Sequence, residues 1–161
     1  MKLASLLLAA SALALSASVV TACATMPDDA GASMATMASA NLQETASLMV
    51  SIGQHGEDAS ASDVTDLSAQ IDEQVAAAPK DPFVLKLAAQ SRTTLARYAS
   101  DPAQRTALRR QALAEFDKAI SLSKSATASR LVMINGQETE IDLKDIPDLR
   151  TQLSATIAAN Q

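Results

Sequence analysis

The side chains that most often carry out nucleophilic or acid-base catalysis are scarce in this sequence. The chain of 161 residues contains one cysteine, Cys23, and one histidine, His55. A nucleophilic Ser or Cys needs a neighbouring base, and His55 lies between Gly53 and Gly56, in a segment typical of a loop. The acidic residues that follow His55 do not have the spacing of a metal site. We therefore expect His55 to be a solvent-facing loop residue.

Other groupings of reactive side chains are equally weak. Met26, Met34 and Met37 carry thioethers that suit Cu(I), but methionines in an Ala-rich helix more often fill gaps in packing. Adjacent carboxylates such as Asp72 and Glu73 point in different directions on a helix. The four glycines do not cluster into a phosphate-binding loop. The sequence therefore predicts a protein that is not an enzyme and that has no metal and no cofactor.

The arginines offer the best prospect of a binding surface. Residues 28–75 contain nine acidic side chains and no basic one, whereas residues 80–124 contain nine basic and four acidic ones. In the basic block Arg105, Arg109 and Arg110, at positions i, i+4 and i+5 of one predicted helix, could present a cationic strip. Its anionic partner could be lipid headgroups, cell-wall polymers or an acidic protein.

A simpler account of this charge asymmetry is also open. The acidic helices could pack beside the basic ones and leave the surplus as a solvated, mutually complementary surface. The net charge of −5 argues against nucleic acid as a partner, because phosphate binding needs a basic surface.

The N-terminal segment has the layout of a secretory signal. Lys2 precedes an apolar run of Leu, Ala, Ser and Val that extends to Val20. The Ala and Ser content makes this run weakly hydrophobic for a permanent transmembrane span. We therefore assign residues 1–22 to a cleaved signal peptide.

Val20-Thr21-Ala22-Cys23, at the end of this run, resembles the lipobox of bacterial lipoproteins. The resemblance implies that Cys23 is lipid-modified on sulfur, becomes the first mature residue and starts a tether over residues 23–31. Ala24, in place of Asp, resembles the pattern that directs lipoproteins to the outer membrane in organisms with two membranes. The alternative is ordinary signal cleavage near Cys23. The expected location is the cell envelope, on the periplasmic side of the outer membrane where one exists.

Glycines and prolines divide the remaining chain, residues 32–161, into the elements of a single, mainly helical domain. Apolar periodicity predicts helices over residues 33–52 and from Ser62 to the Ala78-Pro79 stop. Asp81-Pro82 and Asp101-Pro102 each supply an N-cap and a first-turn proline for two further helices. These two helices should lie antiparallel because the connection is short. A last helix begins around Pro147.

Residues 130–143 differ from the helical segments. Asn135-Gly136 tolerates the positive φ angles of a two-residue hairpin turn. Pairing around this turn puts one set of side chains on a single face, which should pack on the helices: Val132, Ile134, Thr139 and Ile141. The sequence thus predicts one β-hairpin near residues 130–142.

The fourth predicted helix carries Ala112, Phe116 and Ala119 with the spacing Ala-x3-Phe-x2-Ala. This pattern resembles the second helix of a tetratricopeptide repeat, and Tyr98 could fill the matching place in the third helix. The resemblance covers about residues 82–124, one repeat unit. It implies a helical hairpin, whereas a peptide-binding array needs about three stacked units.

Together these observations predict a non-catalytic, lipid-anchored envelope protein that acts as an adaptor or accessory subunit for another envelope protein. The alternative is a periplasm-facing binding protein whose helices enclose a lipid or another apolar small molecule.

Overall fold

The computed structural model describes residues 36–37, 39–123 and 129–160. The helices of these residues are α1 (Ala40–His55), α2 (Ala61–Ala77), α3 (Pro82–Tyr98), α4 (Pro102–Leu122) and α5 (Ile146–Ala158). The strands are β1 (Thr36–Met37), β2 (Ser129–Ile134) and β3 (Gln137–Asp142). The prediction of a mainly helical domain with one β-hairpin is confirmed.

Helices α3 and α4 form the antiparallel pair at the centre of the domain. Asp81 and Asp101 cap them by accepting hydrogen bonds from backbone N–H groups of the first turns, and each helix begins with the predicted proline. The antiparallel direction follows from side chains that meet across the pair. Arg92 of α3 donates hydrogen bonds to Gln111 and Glu115 of α4, and Arg105 of α4 donates to the Ala99 carbonyl at the end of α3. A residue of α3 and a residue of α4 therefore lie at the same level when their residue numbers add up to about 205.

Helix α3 is buried on most of its surface because α1, α2 and α4 all pack against it. One apolar cluster joins α1, α3, α4, α5 and the hairpin, and a second joins α1, α2, α3 and α4. Phe116 belongs to the first cluster and is 2% exposed. The ring of Tyr98 packs against Gly56, where a Cβ atom would collide with it.

The first two helices begin at residues other than those predicted. Helix α1 starts at Ala40, after the N-cap Ser39, whereas the apolar pattern predicted a helix from residue 33. Thr36–Met37 instead pairs as a short parallel strand with Arg130 and Leu131 of β2. This part of the helix prediction was wrong because a distant strand provides backbone hydrogen bonds that local periodicity does not reveal.

Helix α2 is capped by Ser60 and not by the predicted Ser62. The Ser60 hydroxyl accepts from the Asp63 N–H, and the Asp63 carboxylate accepts from the Ser60 N–H at 2.8 Å. These Ser60 hydrogen bonds lower the pKa of Asp63. A capping box needs an acidic residue three positions after the cap, a condition that Ser60 meets and Ser62 does not.

The hairpin has the predicted turn and face. Asn135 and Gly136 have φ angles of 51° and 77°, and Val132 lies opposite Thr139 in the antiparallel β2–β3 ladder. Val132 and Ile141 are buried against the helices. The other edge of β2 is covered by β1 and by Gln43 of α1, whose side-chain amide both donates to and accepts from the backbone of Met133.

No helix among the described residues combines the length and the apolar content needed to cross a membrane.

Candidate functional site

A groove of about 310 Å³ lies between α3, α4 and α5. We call it the α3–α4–α5 groove. It is lined by Gln90, Thr93, Thr94, Arg97, Arg109, Phe116, Leu149, Gln152, Leu153 and Thr156. None of these side chains is acidic, so the two arginines set the charge of the groove.

Arg97 of α3 and Arg109 of α4 lie at about the same level of the antiparallel pair. Their numbers add up to 206, which matches the register of the antiparallel pair, and both line the groove. Within the described part of the chain, neither guanidinium has an ion-pair or hydrogen-bond partner. Two neighbouring cations without a counter-charge create a positive potential that favours an anionic ligand.

Uncharged hydrogen-bonding groups continue from the arginines along the groove. The side chains of Gln90, Thr94 and Gln152 have no hydrogen-bond partner among the described residues, so they are free to bind a ligand. An amide side chain can both donate and accept, and so can a hydroxyl. The site can therefore bind polar groups of a ligand as well as its negative charge.

The exposed surface of the groove is about half apolar and half polar. Phe116 and Leu153 are 2% and 4% exposed, so their side chains form a floor more than an open apolar surface. Leu149 is half-buried beside them. A ligand would therefore meet polar and apolar surface in about equal parts.

Two ion pairs link the helices that form the walls of the groove. Arg150 of α5 pairs with Asp117 of α4 at 2.9 Å between Nε and Oδ1. At the start of α5, Asp145 pairs with Lys86 of α3 at 2.6 Å, and Lys86, which is 5% exposed, also donates to the Asp142 carbonyl. Lys86 therefore ties the hairpin and α5 to the central helix.

The three arginines of the predicted cationic strip have different surroundings. Arg105 donates from Nε and Nη2 to the carbonyl of Ala99 and thereby supports the α3–α4 connection. Arg109 lines the groove, and Arg110 is exposed outside it. Only Arg109 of the predicted strip therefore contributes to the groove.

Arg92 lies on the face of α3 that is turned away from the groove, toward α2. Its side chain is buried and bonds to Asp72 of α2 at 2.7 Å and to Glu115 of α4 at 2.8 Å. Ser68 and Gln111 accept further hydrogen bonds at 3.2 Å each. This buried network joins three helices and fixes the α3–α4 pair on which the groove is built.

The carboxyl group of Glu115 belongs to this network and has a shifted pKa. Burial raises the pKa of Glu115, although the charge of Arg92 and its hydrogen bond act in the opposite direction. Burial outweighs attraction because the low-polarity surroundings penalise the charged form.

The acidic and basic blocks of the sequence hardly neutralise each other. Among the described residues, Asp72–Arg92 is the single ion pair between residues 28–75 and residues 80–124. The other ion pairs of the described residues lie within the basic block or link it to residues 130–150. Within the part of the chain that the structure describes, direct ion pairs between the two blocks are therefore rare.

Several predicted residues lie outside the described part of the chain. They include Cys23 with its lipobox, and Met26 and Met34; no side chain is described for Met37. His55 is exposed, as predicted, but it is the last residue of α1, so the expectation that it lies in a loop was wrong. Across residues 39–123 and 129–160, no three His, Cys, Asp or Glu side chains form a group that could hold a metal ion.

Compared with protein-family models, curated proteins and solved structures, the chain matches none. The resemblances to the lipobox and to a tetratricopeptide repeat therefore remain predictions from the sequence.

Proposed function

We propose that this protein is a non-catalytic, lipid-anchored envelope adaptor that binds an anionic segment of a partner protein in the α3–α4–α5 groove. The observation that carries the proposal is that Arg97 and Arg109 both line the groove and that neither has an ion-pair partner among the described residues. Two arginines without ion-pair partners contribute little to folding stability. They are well suited to attract and orient an acidic partner.

The anchor is the second part of the proposal. The lipobox-like Val20-Thr21-Ala22-Cys23 supports attachment through Cys23, and a lipid anchor limits the adaptor to partners at the membrane surface. Two or more acyl chains would make the attachment stable. The groove would then bind an envelope protein, in the periplasm if the organism has two membranes.

The alternative, a carrier of a lipid or apolar small molecule, has less support. Seven of the ten groove-lining residues are polar, and two of the three apolar ones are buried. A carrier for an apolar ligand needs a mainly apolar cavity. The groove fits a charged ligand better.

The test is crosslinking in intact cells, followed by detergent solubilisation, affinity capture and mass spectrometry. The wild type is compared with the double variant Arg97→Gln/Arg109→Gln and with Arg110→Gln, which removes a nearby charge outside the groove. Cys23→Ala, run in parallel, tests the anchor.

We expect a specific partner to be captured by the wild type and by Arg110→Gln, and to be lost from the double variant. Cys23→Ala should leave the membrane fraction and lose the partner there. Equal capture by the double variant would contradict the groove as the binding surface. Membrane association of Cys23→Ala would contradict the anchor.

A further inference from the structure

The hairpin leaves one edge of the sheet unpaired. The described strands have the order β1-β2-β3, so β3 (Gln137–Asp142) has β2 on one side and no described strand on the other. The backbone N–H and C=O groups of β3 that point away from β2 lie along this edge. An edge strand with free backbone groups can accept a strand from another chain.

The turn of the hairpin fixes which backbone groups of β3 point outward. Asn135 and Gly136 form a two-residue turn with positive φ angles, so Ile134 and Gln137 form the hydrogen-bonded pair that closes it. Along an antiparallel ladder, hydrogen-bonded pairs alternate with pairs that are not hydrogen-bonded to each other. The β3 residues of the second kind, whose backbone groups point away from β2, are Glu138, Glu140 and Asp142.

Two contacts agree with this alternation. Lys86 of α3 donates to the outward carbonyl of Asp142 at 2.6 Å. On the opposite edge of the hairpin, the backbone N–H and C=O groups of Met133 are bonded by the side chain of Gln43. Among the described residues, nothing bonds to the outward N–H and C=O groups of positions 138 and 140. We call residues 138–140 the open β3 edge.

The open β3 edge carries two negative charges without a cation opposite them. Ile141 is buried against the helices, so Glu138 and Glu140 lie on the other face of the strand, where both are exposed. Their opposite neighbours on β2 are Met133 and Leu131, and neither carboxylate has an ion pair among the described residues. Opposite charges in directly opposed positions stabilise a strand pair, and like charges destabilise it. A strand added to this edge is therefore favoured if it brings cations.

We infer that the open β3 edge binds an extended segment of another protein that has lysine or arginine at two alternate positions. The segment adds as an antiparallel strand, with one basic residue opposite Glu138 and one opposite Glu140, and exchanges backbone hydrogen bonds with both. A second copy of β3 does not fit, because antiparallel pairing centred on Thr139 opposes Glu138 of one copy to Glu140 of the other. The residues that line the α3–α4–α5 groove do not include β3, so this inference is independent of the proposed function.

The test uses the full-length protein in detergent micelles, uniformly labelled with ¹⁵N, and four peptide probes. The first is N-acetyl-threonyl-lysyl-valyl-lysyl-threonine amide. The second has the same residues with a backbone N-methyl group on each lysine, and the third has N-methyl groups on the valine and the last threonine instead. The fourth replaces both lysines with glutamate. In antiparallel pairing the lysines opposite the glutamates donate their own N–H groups to β3, so the second probe is blocked and the third is not.

We expect the first probe to shift the backbone amide signals of Glu138 and Glu140 in a saturable manner and to slow their hydrogen exchange. The amides of Thr139 and Ile141 already donate to β2 and should change less. The third probe should bind about as tightly as the first, whereas the second and fourth should bind at least about tenfold more weakly, a difference of about 1.4 kcal/mol. This comparison is made on the wild-type protein and does not depend on the folding of any variant.

A double variant then tests the charges separately from the backbone. Glu138→Gln/Glu140→Gln keeps every backbone group of the edge and should weaken binding of the first probe. Glu57→Gln removes an exposed charge outside the sheet and is the matched control, which should leave binding unchanged.

The absence of a saturable shift at Glu138 and Glu140 would overturn the inference, because the carboxylates would then serve only to prevent strand pairing. Equal binding of the two N-methylated probes would also overturn it, since the contact would not use the backbone. So would equal binding of the glutamate probe, or equal weakening by Glu57→Gln. Slow hydrogen exchange at Glu138 and Glu140 before any probe is added would show that the edge is already occupied. Dependence of that protection on protein concentration would identify the occupant as a second copy, and independence as another segment of this chain.

Discussion

Arg92 and Arg97 lie five residues apart on α3, yet they occupy opposite situations. Arg92 is 1% exposed and bonds to four side chains from two other helices, whereas Arg97 is exposed and has no partner among the described residues. Five residues correspond to about 140° of rotation around a helix, so the two side chains face different neighbours. The same residue type can therefore cross-link the fold on one face and remain available for a ligand on another.

The difference comes from the helices that pack on each face. On the Arg92 side, α2 and α4 contribute the carboxylates Asp72 and Glu115. On the groove side, α5 contributes amides, hydroxyls and leucines but no acidic side chain that lines the groove. A buried cation needs such partners, whereas a cation at an open groove can remain without one because water solvates it.

The largest effect should follow from breaking the Arg92 network. We expect Arg92→Ala to lower the free energy of unfolding by about 3–5 kcal/mol, because the buried Glu115 carboxylate loses its partner. Urea denaturation followed by circular dichroism measures the change. Arg110→Ala is the control and should stay within about 0.5 kcal/mol of the wild type. A loss below about 1 kcal/mol for Arg92→Ala would mean that Arg92 contributes no more to the free energy of unfolding than an exposed arginine does.

Removal of the Phe116 ring tests the boundary between core and groove. We expect Phe116→Ala to cost about 3 kcal/mol, the lower end of the usual range, because one side of the ring borders the open groove. Thermal and urea unfolding measure the loss. A cost below about 1 kcal/mol would show that the ring behaves as a surface residue.

The raised pKa of Glu115 predicts a pH dependence that Glu115→Gln should remove. The folded state binds a proton in a pH range where the unfolded state has already lost it. The wild type should therefore lose stability relative to Glu115→Gln as pH rises from about 4.5 through the raised folded-state pKa. The loss corresponds to about 1.4 kcal/mol per unit by which the pKa is raised.

Urea midpoints of both proteins at a series of pH values measure this difference, in which the other titrating groups largely cancel. The difference in stability between the wild type and Glu115→Gln should not change with pH below the ordinary Glu pKa, nor above the raised pKa of Glu115 in the folded state. A wild type that gains stability relative to Glu115→Gln with rising pH would show that attraction to Arg92 outweighs burial.

The smallest effect should follow from changes at the groove. We expect Arg97→Gln and Arg109→Gln each to change stability by less than about 0.5 kcal/mol, because neither residue has a structural partner among the described residues. If either variant is more stable than the wild type, the gain in the free energy of unfolding should be larger at low salt, where repulsion between the two arginines is less screened. Denaturation at low and high salt makes the comparison. A loss above about 1 kcal/mol would place these arginines in the same structural class as Arg92.

Local signals in the sequence were sufficient for most of the fold. Asp81-Pro82 and Asp101-Pro102 specify the starts of α3 and α4 through capping, and Asn135-Gly136 specifies the hairpin turn. The predicted antiparallel pair also indicates part of the groove, because it places the end of α3 beside the start of α4. From this register the sequence could have predicted that Arg97 and Arg109 lie at the same level.

The sequence by itself determined the helical class, the hairpin and the separation of acidic from basic residues, because caps, turns and charges act over a few positions. Only the tertiary structure decided that Thr36–Met37 joins a sheet and that Arg92 forms ion pairs with Asp72 and Glu115. It also decided that Arg97 and Arg109 line a groove beside α5 without an ion-pair partner among the described residues. These outcomes depend on contacts between residues far apart in the chain, and local spacing does not encode which helix packs on which face.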